Sequence, residues 1–92
     1  MARILNYYND TIMFEDESLE LKELVVQNKK YLSGTNLSGT NLTDANLIGA
    51  NISGTNLSYA NLSYANLSSA NLTDASLTGA NFDSAILLKT KF

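Results

Sequence analysis

The side chains of this sequence allow only a narrow range of chemistry, because its 92 residues contain no His and no Cys. Nucleophiles paired with histidine, thiolate redox centres and the usual zinc and copper sites are therefore excluded. Carboxylate catalysis is the remaining enzymatic option, and it requires two acidic groups close together in a pocket. Beyond residue 30 the only acidic residues are Asp44, Asp74 and Asp83.

Those aspartates lie in a region of five-residue repeats, which runs from Lys30 to the end of the sequence without insertion or deletion. Each unit has a central apolar residue, which we call its centre. The centres are Leu32, Leu37, Leu42, Leu47, Ile52, Leu57, Leu62, Leu67, Leu72, Leu77, Phe82, Leu87 and Phe92. Ala or Thr stands two places before every centre but the first, and the residue just before a centre is usually Asn. All five glycines fall two places after a centre.

A period of five residues fits neither an α-helix nor a flat strand. On an α-helix the centres would advance by about 140° per repeat, which leaves no dry face. In an extended chain, Ala-Asn-Leu gives the in, out, in alternation of a strand, and the next two residues break it by pointing outward. Gly, Asp and Ser dominate the last place, and they favour turns. Each unit therefore turns a corner, and the chain winds into stacked coils about 4.8 Å apart.

By this phase the three aspartates point outward from a convex surface with a filled interior. Such a surface offers no concave site for a substrate. We expect them to be solvated corner residues. The sequence therefore predicts a protein that is not an enzyme, with no catalytic residue, no metal site and no cofactor.

The units at 60–64 (ANLSY) and 70–74 (ANLTD) resemble the pentapeptide-repeat family, and the resemblance covers residues 30–92. It implies an all-β solenoid, a right-handed quadrilateral β-helix with four units per coil, so this chain would have about three coils. We then expect all thirteen centres to fill the axis. Asn side chains one coil apart, such as Asn36 and Asn56, are expected to stack as amide ladders with a structural role.

The open end of a coil exposes unpaired strand edges that need a cover. We expect residues 15–29 to form a short N-terminal α-helical cap, since Leu21, Leu24 and Val25 share one face and acidic residues crowd its start. Asn28 is a candidate left-handed C-terminal cap of that helix. A helix that binds a partner is the alternative.

Residues 1–14 precede that helix as an N-terminal arm that departs from the family pattern. Two short strand-like runs flank Asn9-Asp10, which is a reasonable two-residue turn. A hairpin folded against the first coil, a flexible tail and an arm exchanged with another subunit all remain open.

The last units carry apolar residues on a face that is polar in earlier units. Ile86 replaces the usual Asn and Leu88 the usual Ser or Thr, and Phe92 is the final centre. Such substitutions resemble the C-terminal ends through which some family members dimerise. We therefore expect a homodimer through Ile86, Leu88 and Phe92. A local cap and a chain cut from a longer protein are the alternatives.

Tyr59 and Tyr64 are the clearest outward departures from the repeat, at equivalent corners of neighbouring units. With four units per coil, Gly39 and Gly79 lie one coil below and above Tyr59. An exposed aromatic pair is a candidate contact for a protein partner. The alternative is that the rings only shield glycine backbone.

The charge and the termini limit the remaining functions. A net charge of −3 has the wrong sign for gripping nucleic acid phosphates. No stretch has the roughly 18 apolar residues of a membrane span, and the start of the chain lacks the apolar run of a signal peptide. We therefore expect a cytoplasmic protein with no nucleic acid or membrane partner.

The family resemblance implies two classes of function. One is a protein-protein interaction or scaffold module, with a regulatory role and a partner that the sequence does not identify. The other is a DNA mimic that binds DNA gyrase and protects it from quinolones. A mimic needs regular negative charge along many coils, whereas residues 31–92 carry three Asp against two Lys. The interaction module is therefore the preferred prediction.

Overall fold

The computed structural model describes residues 2–92. It begins with strands β1 (Ala2–Asn6) and β2 (Ile12–Asp16), followed by helix α1 (Leu21–Gln27), a short 3-10 helix (Lys29–Tyr31) and the two-residue strand β3 (Thr35–Asn36). These strands form one antiparallel sheet in the order β2-β1-β3. The rest of the repeat region is held by single parallel bridges.

Those bridges join residues 20 positions apart in four series. They are Asn36 to Asn56 to Ser76, Asn41 to Asn61 to Asn81, Asn46 to Asn66 to Ile86, and Asn51 to Asn71 to Lys91. Around each bridge a centre donates its N–H to a carbonyl in the next circuit, as from Leu37 to Asn56 (2.8 Å), and the N–H of Asn56 donates back to Thr35 (2.9 Å). Four walls therefore surround one axis, and 20 residues complete one circuit.

Each corner between two walls is a β-turn with a left-handed residue in its third place. The N–H of the fourth residue donates to the carbonyl of the preceding centre, as from Thr35 to Leu32 (3.1 Å). The third residue has a φ between 58° and 73° at all corners, the sign that a type II turn requires there. Glycine fills this place at five corners, and the other corner residues are Asp44, Tyr59, Tyr64, Ser69, Asp74, Ser84 and Lys89. The preference for Gly, Asp and Ser at this place thus has a backbone cause.

The core lies on the axis and contains nine of the centres. The centres from Leu32 to Leu72 are at most 1% exposed. The Ala and Thr residues that stand two places before a centre are also buried from Thr35 to Ala70. Buried threonines use their hydroxyls on main-chain carbonyls, as Thr35 and Thr55 both do on Leu32 (2.7 and 2.9 Å). Among the described residues, no buried side-chain nitrogen or oxygen lacks a hydrogen-bond partner.

The expectation that all thirteen centres fill the axis is wrong for the last two, because Leu87 and Phe92 are 39% and 62% exposed. Leu77 and Phe82 pack against the core but are only half-buried. A fully buried centre is covered by the centre 20 residues further on, and Leu72 is the last residue with such a neighbour in this sequence.

The expected amide ladders are also absent from the described side chains of Asn36 and Asn56. Asn36 Oδ1 accepts the N–H and the hydroxyl of Ser38 (3.1 and 2.8 Å), and Asn56 Oδ1 accepts the N–H of Ser58 (3.0 Å). Each amide oxygen is therefore used within its own unit, as in an Asx turn. Stacking at 20-residue intervals is carried mainly by the main chain, and hydroxyl pairs such as Ser33 and Ser53 (3.1 Å) add side-chain hydrogen bonds between circuits.

The arm that precedes the repeats contributes a hairpin. β1 pairs with β2 from Ala2 opposite Asp16 to Leu5 opposite Ile12, with an irregular register after Ile4. Asp10 in the connection has a φ of 57°. β1 also pairs with β3, so the hairpin lies against the first circuit of the repeats. Of the three alternatives for residues 1–14, this is the hairpin against the first coil, and its second strand extends to residue 16.

Helix α1 is shorter than the segment 15–29 that was expected to form it. β2 includes Glu15 and Asp16, and a capping box of Glu20 and Glu23 then starts the helix at Leu21. Asn28 ends the helix with a φ of −106°, so the expectation of a left-handed cap is wrong. Within residues 2–92, no helix is both long enough and apolar enough to cross a membrane.

Candidate functional site

The aspartates of the repeats lie at exposed corners, as their phase predicts. Asp44 and Asp74 are left-handed corner residues, and Asp83 stands one place before the corner residue Ser84. In the described part of the chain, no three His, Cys, Asp or Glu side chains are grouped to hold a metal ion. Each of the three aspartates is exposed to solvent at or beside a corner of the repeats.

Tyr59 and Tyr64 are exposed corner residues on either side of one wall, that of the bridged residues Asn41, Asn61 and Asn81. Their side chains are 71% and 63% exposed, and each has a φ near 60°. The two rings have different neighbours. The Tyr59 ring lies over Gly79, where a Cβ would stand 2.5 Å from ring carbons, whereas Tyr64 is followed one circuit later by Ser84.

The C-terminal edge of the ladder, formed by residues 77–92, combines apolar side chains with unpaired main-chain groups. Ile86 and Leu88 are 50% and 67% exposed and flank Leu87 on one wall. Phe92 lies on the neighbouring wall, and its ring packs edge to face against that of Phe82, with 6.3 Å between the ring centroids. The structure therefore brings the three predicted self-association residues to one end of the molecule, together with two centres that the prediction did not include.

Main-chain N–H groups without an acceptor in a further circuit lie along the same edge. Every centre from Leu32 to Leu72 donates its N–H to a carbonyl in the next circuit. Within residues 2–92, the N–H groups of the last four centres, Leu77, Phe82, Leu87 and Phe92, have no such acceptor. An edge of this kind is a template for another chain.

The N-terminal edge, the open side of residues 32–51, is covered by the chain itself. Leu5 and Asn6 of β1 pair with β3, and the N–H of Tyr7 donates to the Gly34 carbonyl (2.7 Å). Ile4 of β1 and Leu24 and Val25 of α1 are at most 2% exposed and belong to the same core as the centres. We call β1, β2 and α1 the N-terminal cover.

The side chain of Lys22 and the main chain of Lys29 make hydrogen bonds on this edge that a preceding circuit would otherwise make. Lys22 Nζ donates to the Thr43 carbonyl (2.9 Å), and one circuit later the equivalent Ser63 carbonyl accepts the N–H of Asp44 (3.0 Å). The carbonyl of Lys29 accepts the N–H of Asn51 (2.8 Å). Sequence reasoning missed the role of Lys22, because an exposed lysine gives no sign of which carbonyl it reaches.

A groove of about 460 Å³ lies between the hairpin and one corner of the repeats. Tyr8, itself 80% exposed, stands at one end, and Ser33, Gly34, Ser53 and Gly54 are among its lining residues. No feature of the sequence indicated this groove, because the groove depends on where the hairpin rests. It contains no charged pair, since Asp74 is its only ionisable acidic or basic residue apart from the tyrosine.

Comparison with known proteins identifies the class to which this arrangement belongs. The family model described as pentapeptide repeats (8 copies) matches residues 31–63 and 60–92. The chain belongs to the pentapeptide-repeat family, as the resemblance of its units indicated. Proteins of this family form right-handed quadrilateral β-helices, and they are generally structural or interaction modules.

Solved structures of two cyanobacterial pentapeptide-repeat proteins are similar to parts of the chain. HetL of Nostoc sp. strain PCC 7120, which is involved in heterocyst differentiation regulation, is 41% identical over 61% of this chain and 25% of its own, with a TM-score of 0.45. Rfr23 of Cyanothece 51142 is 41% identical over 62% of this chain and 43% of its own, with a TM-score of 0.40. The chain thus spans less than half of either protein. No curated protein matches it.

Proposed function

We propose that this chain is a non-enzymatic, cytoplasmic interaction module that pairs with a second copy through its C-terminal edge. The observation that carries this proposal is the exposed apolar pair Ile86 and Leu88, which are 50% and 67% exposed. Ile86 follows Asn46 and Asn66 in its column, and Leu88 follows Ser68. A copy placed end to end would cover Leu87 and Phe92 and supply acceptors to the unpaired N–H groups.

The proposed architecture has three coils, the first of which is covered by the N-terminal segment. The 20-residue spacing of the bridges supports a count of about three coils over residues 30–92. The hairpin and α1 act as the cap of the first coil, because their apolar residues join the core and their polar groups meet its edge. The last coil has no equivalent cover among the described residues.

Charges on the last coil support a two-fold arrangement of the copies. Asp83 and Lys89 stand at the two corners that flank the wall of Leu87. A two-fold axis through the middle of that wall exchanges these corners, so Lys89 of one copy faces Asp83 of the other. An axis through a corner would instead place Lys89 against Lys89, or Asp83 against Asp83.

In this arrangement the tyrosine corners remain free for a different protein. Tyr59 and Tyr64 lie one circuit below the C-terminal edge and stay exposed at the side of the molecule. Large aromatic side chains of this kind are enriched among residues that anchor a protein partner. A regulatory role would follow if that partner bound the paired chains, and its identity is open.

The experiment that tests this proposal is light scattering on the whole chain and on two variants. The test variant is Ile86→Asn with Leu88→Ser, which restores the polar residues of earlier units. The control is Ile48→Ser, because Ile48 is an exposed residue (44%) in the same column as Leu88, two circuits away from the edge. We expect twice the 10.0 kDa chain mass for the wild type and the control, and the chain mass for the test variant. A wild type that remains at the chain mass at millimolar concentration would show the pairing to be wrong.

A further inference from the structure

Two glycines stand one circuit apart at the corner of the repeats that lines the groove beside Tyr8. Gly54 follows Gly34 in this column, whereas other glycines of the repeats are followed by a tyrosine or a serine. A Cβ built at Gly34 or at Gly54 would meet nothing within 4 Å. The main-chain N–H groups of both glycines donate to carbonyls of the next circuit (3.0 and 2.8 Å). The corner therefore presents an open floor of glycine backbone whose N–H groups are already hydrogen-bonded.

The chain itself shows which kind of group packs on such a floor. The Tyr59 ring lies over Gly79, where a Cβ would stand 2.5 Å from ring carbons. Gly79 has a φ of 67°, which lies between the 62° of Gly54 and the 73° of Gly34, so these corners share one backbone form. The floor at Gly34 and Gly54 thus has the form that holds an aromatic ring at Gly79. Within residues 2–92, no ring lies on it.

Tyr8 is an aromatic wall of the groove and is held in place by the hairpin. The Tyr7 N–H donates to the Gly34 carbonyl (2.7 Å), and the Tyr8 N–H donates to Asn6 Oδ1 (2.8 Å). The rings of Tyr7 and Tyr8 stack, with 5.1 Å between their centroids and 23° between their planes. Tyr8 remains 80% exposed. A ring that enters the groove therefore meets a preorganised aromatic partner, and such pairs are favourable.

Asp74 supplies the groove with an acceptor that has no partner of its own. It stands one circuit beyond Gly54, about 4.8 Å further along the axis. Within residues 2–92, no hydrogen bond or ion pair engages its carboxylate. The serine and threonine hydroxyls of the groove are already bonded within the chain, as between Ser33 and Ser53 (3.1 Å). A donor on the occupant would therefore bond to Asp74, and a charged acceptor makes the stronger kind of hydrogen bond.

We propose that this groove binds a tyrosine or tryptophan side chain of a partner protein. The ring lies on the backbone of Gly34 and Gly54 and contacts Tyr8, and its O–H or N–H donates to Asp74. Tyrosine and tryptophan combine a ring with a donor, and both are enriched among the anchors of protein interfaces. The inference rests on the proposed role as an interaction module. It does not require the pairing through Ile86 and Leu88, because neither residue lines the groove.

The test is a nuclear magnetic resonance titration of the whole chain with N-acetyl-tyrosinamide. A ring on the floor shifts the Hα resonances of Gly34 and Gly54 upfield. Gly79, which already lies under the Tyr59 ring, provides the internal reference for such a shift. The control probe is N-acetyl-leucinamide, which is apolar but has no ring. We expect the upfield shifts with the tyrosine probe only.

The main test variant is Gly54→Ser, which places a Cβ where the ring would lie. Serine fits this backbone, because Ser69 and Ser84 occupy left-handed corners of the same kind. Gly49→Ser is the matched control, since Gly49 is a left-handed corner with equally open space and lies outside the groove. We expect Gly54→Ser to bind the probe about tenfold more weakly than the wild type, and Gly49→Ser to bind it equally well.

Two further variants test the walls of the groove. Asp74→Asn should weaken binding of N-acetyl-tyrosinamide about threefold, because the acceptor loses its charge. It should leave binding of N-acetyl-phenylalaninamide, which has no donor on its ring, unchanged. If Gly54→Ser does not fold, Tyr8→Ala takes its place, because Tyr8 is an exposed residue of the hairpin connection. The expected loss for Tyr8→Ala is again about tenfold.

Three outcomes would overturn the inference. The first is the absence of upfield shifts at Gly34 and Gly54 with the tyrosine probe. The second is equal binding by Gly54→Ser and Gly49→Ser. The third is upfield shifts that grow with protein concentration in the absence of probe, because a second copy would then occupy the groove. The titration should give the same affinity in Ile86→Asn with Leu88→Ser, so a failure of the pairing and a failure of the groove are scored separately.

Discussion

The ring of Tyr59 lies on the backbone of Gly79, 20 residues further along the chain. A Cβ built at Gly79 would stand 2.5 Å from ring carbons Cδ1 and Cε1 and 3.3 Å from Cγ. The ring therefore fills the space that any other side chain would occupy one circuit above it. Although 71% exposed, Tyr59 is partly a packing residue that shields glycine backbone, and Tyr64 has no glycine above it. Of the two tyrosines, Tyr64 is accordingly the freer candidate for a partner.

The contact predicts that Gly79→Ala is more destabilising than Gly39→Ala. Both glycines have a φ near 66°, so each substitution carries a left-handed penalty of about 1 kcal/mol. Only at Gly79 does the added carbon meet the ring, and displacing the ring should add roughly another 1 kcal/mol. Urea unfolding measures both values. In a Tyr59→Ala background the two substitutions should cost the same, and a difference that persists there would contradict the contact.

Burial along the axis predicts unequal costs for the same substitution at different centres. Leu62 is 0% exposed with a centre above and below it, so Leu62→Ala should cost about 3 kcal/mol. Leu87 is 39% exposed and uncovered on one side, so Leu87→Ala should cost about 1 kcal/mol when the chain is monomeric. Chemical unfolding at micromolar concentration makes the comparison. Equal costs would mean that the axis is not filled as described.

The hydrogen bond from Lys22 to the Thr43 carbonyl predicts a small loss of stability when Lys22 is replaced. Lys22→Met keeps an apolar side chain and removes the donor to the Thr43 carbonyl, which should cost about 0.5 to 1 kcal/mol, since Lys22 is exposed. Lys30→Met is the matched control at an exposed lysine next to the same end. Faster amide exchange in the first circuit should accompany the loss in Lys22→Met only. Identical behaviour of the two variants would remove Lys22 from the cover.

The hydrogen bonds from Ser18 to Asp16 predict that Ser18 lowers the pKa of the Asp16 carboxyl at the end of β2. The Ser18 hydroxyl and N–H, both donating to Asp16 (2.7 and 2.8 Å), hold the pKa of that carboxyl below its ordinary value of 3.8. Because the folded pKa is the lower one, this stabilisation is present above pH 3.8 and is lost as the pH falls through the folded pKa. In Ser18→Ala the pKa should rise towards 3.8, as followed by the chemical shift of the Asp16 carboxyl carbon. An unchanged pKa would contradict the assignment.

The repeat region was largely predictable, because its signals are local and recur in every unit. The position of the left-handed corners followed from Gly, Asp and Ser two places after each centre, and the family was recognised from units such as that at 60–64. The side chains of Asn36 and Asn56 were assigned to the wrong interaction. Each amide oxygen accepts a hydrogen bond from the residue two places later in its own unit, at 2.8 Å from the Ser38 hydroxyl and at 3.0 Å from the Ser58 N–H, so local geometry decided the outcome.

The N-terminal cover could not be derived in the same way, because its contacts join distant parts of the chain. The pairing of β1 with β3 and the bond from Lys22 to Thr43 depend on how the cover rests on the first circuit. The helix was predicted too long because acidic residues before Leu21 suit a helix start, yet Glu15 and Asp16 lie in β2 instead. Pairing with Arg3 and Ala2 across the hairpin outweighed that local preference.

The most direct test of the central claim is amide hydrogen exchange at Leu77, Phe82 and Leu87, measured from micromolar to millimolar concentration. Leu57, Leu62 and Leu67 are the internal controls, because they lie on the same walls and donate their N–H groups within the chain. If the C-terminal edge pairs with a second copy, exchange at the first three slows at least tenfold as the concentration rises, while the controls stay constant. In Ile86→Asn with Leu88→Ser it should remain fast throughout. Fast exchange of the wild-type edge at every concentration would contradict the account.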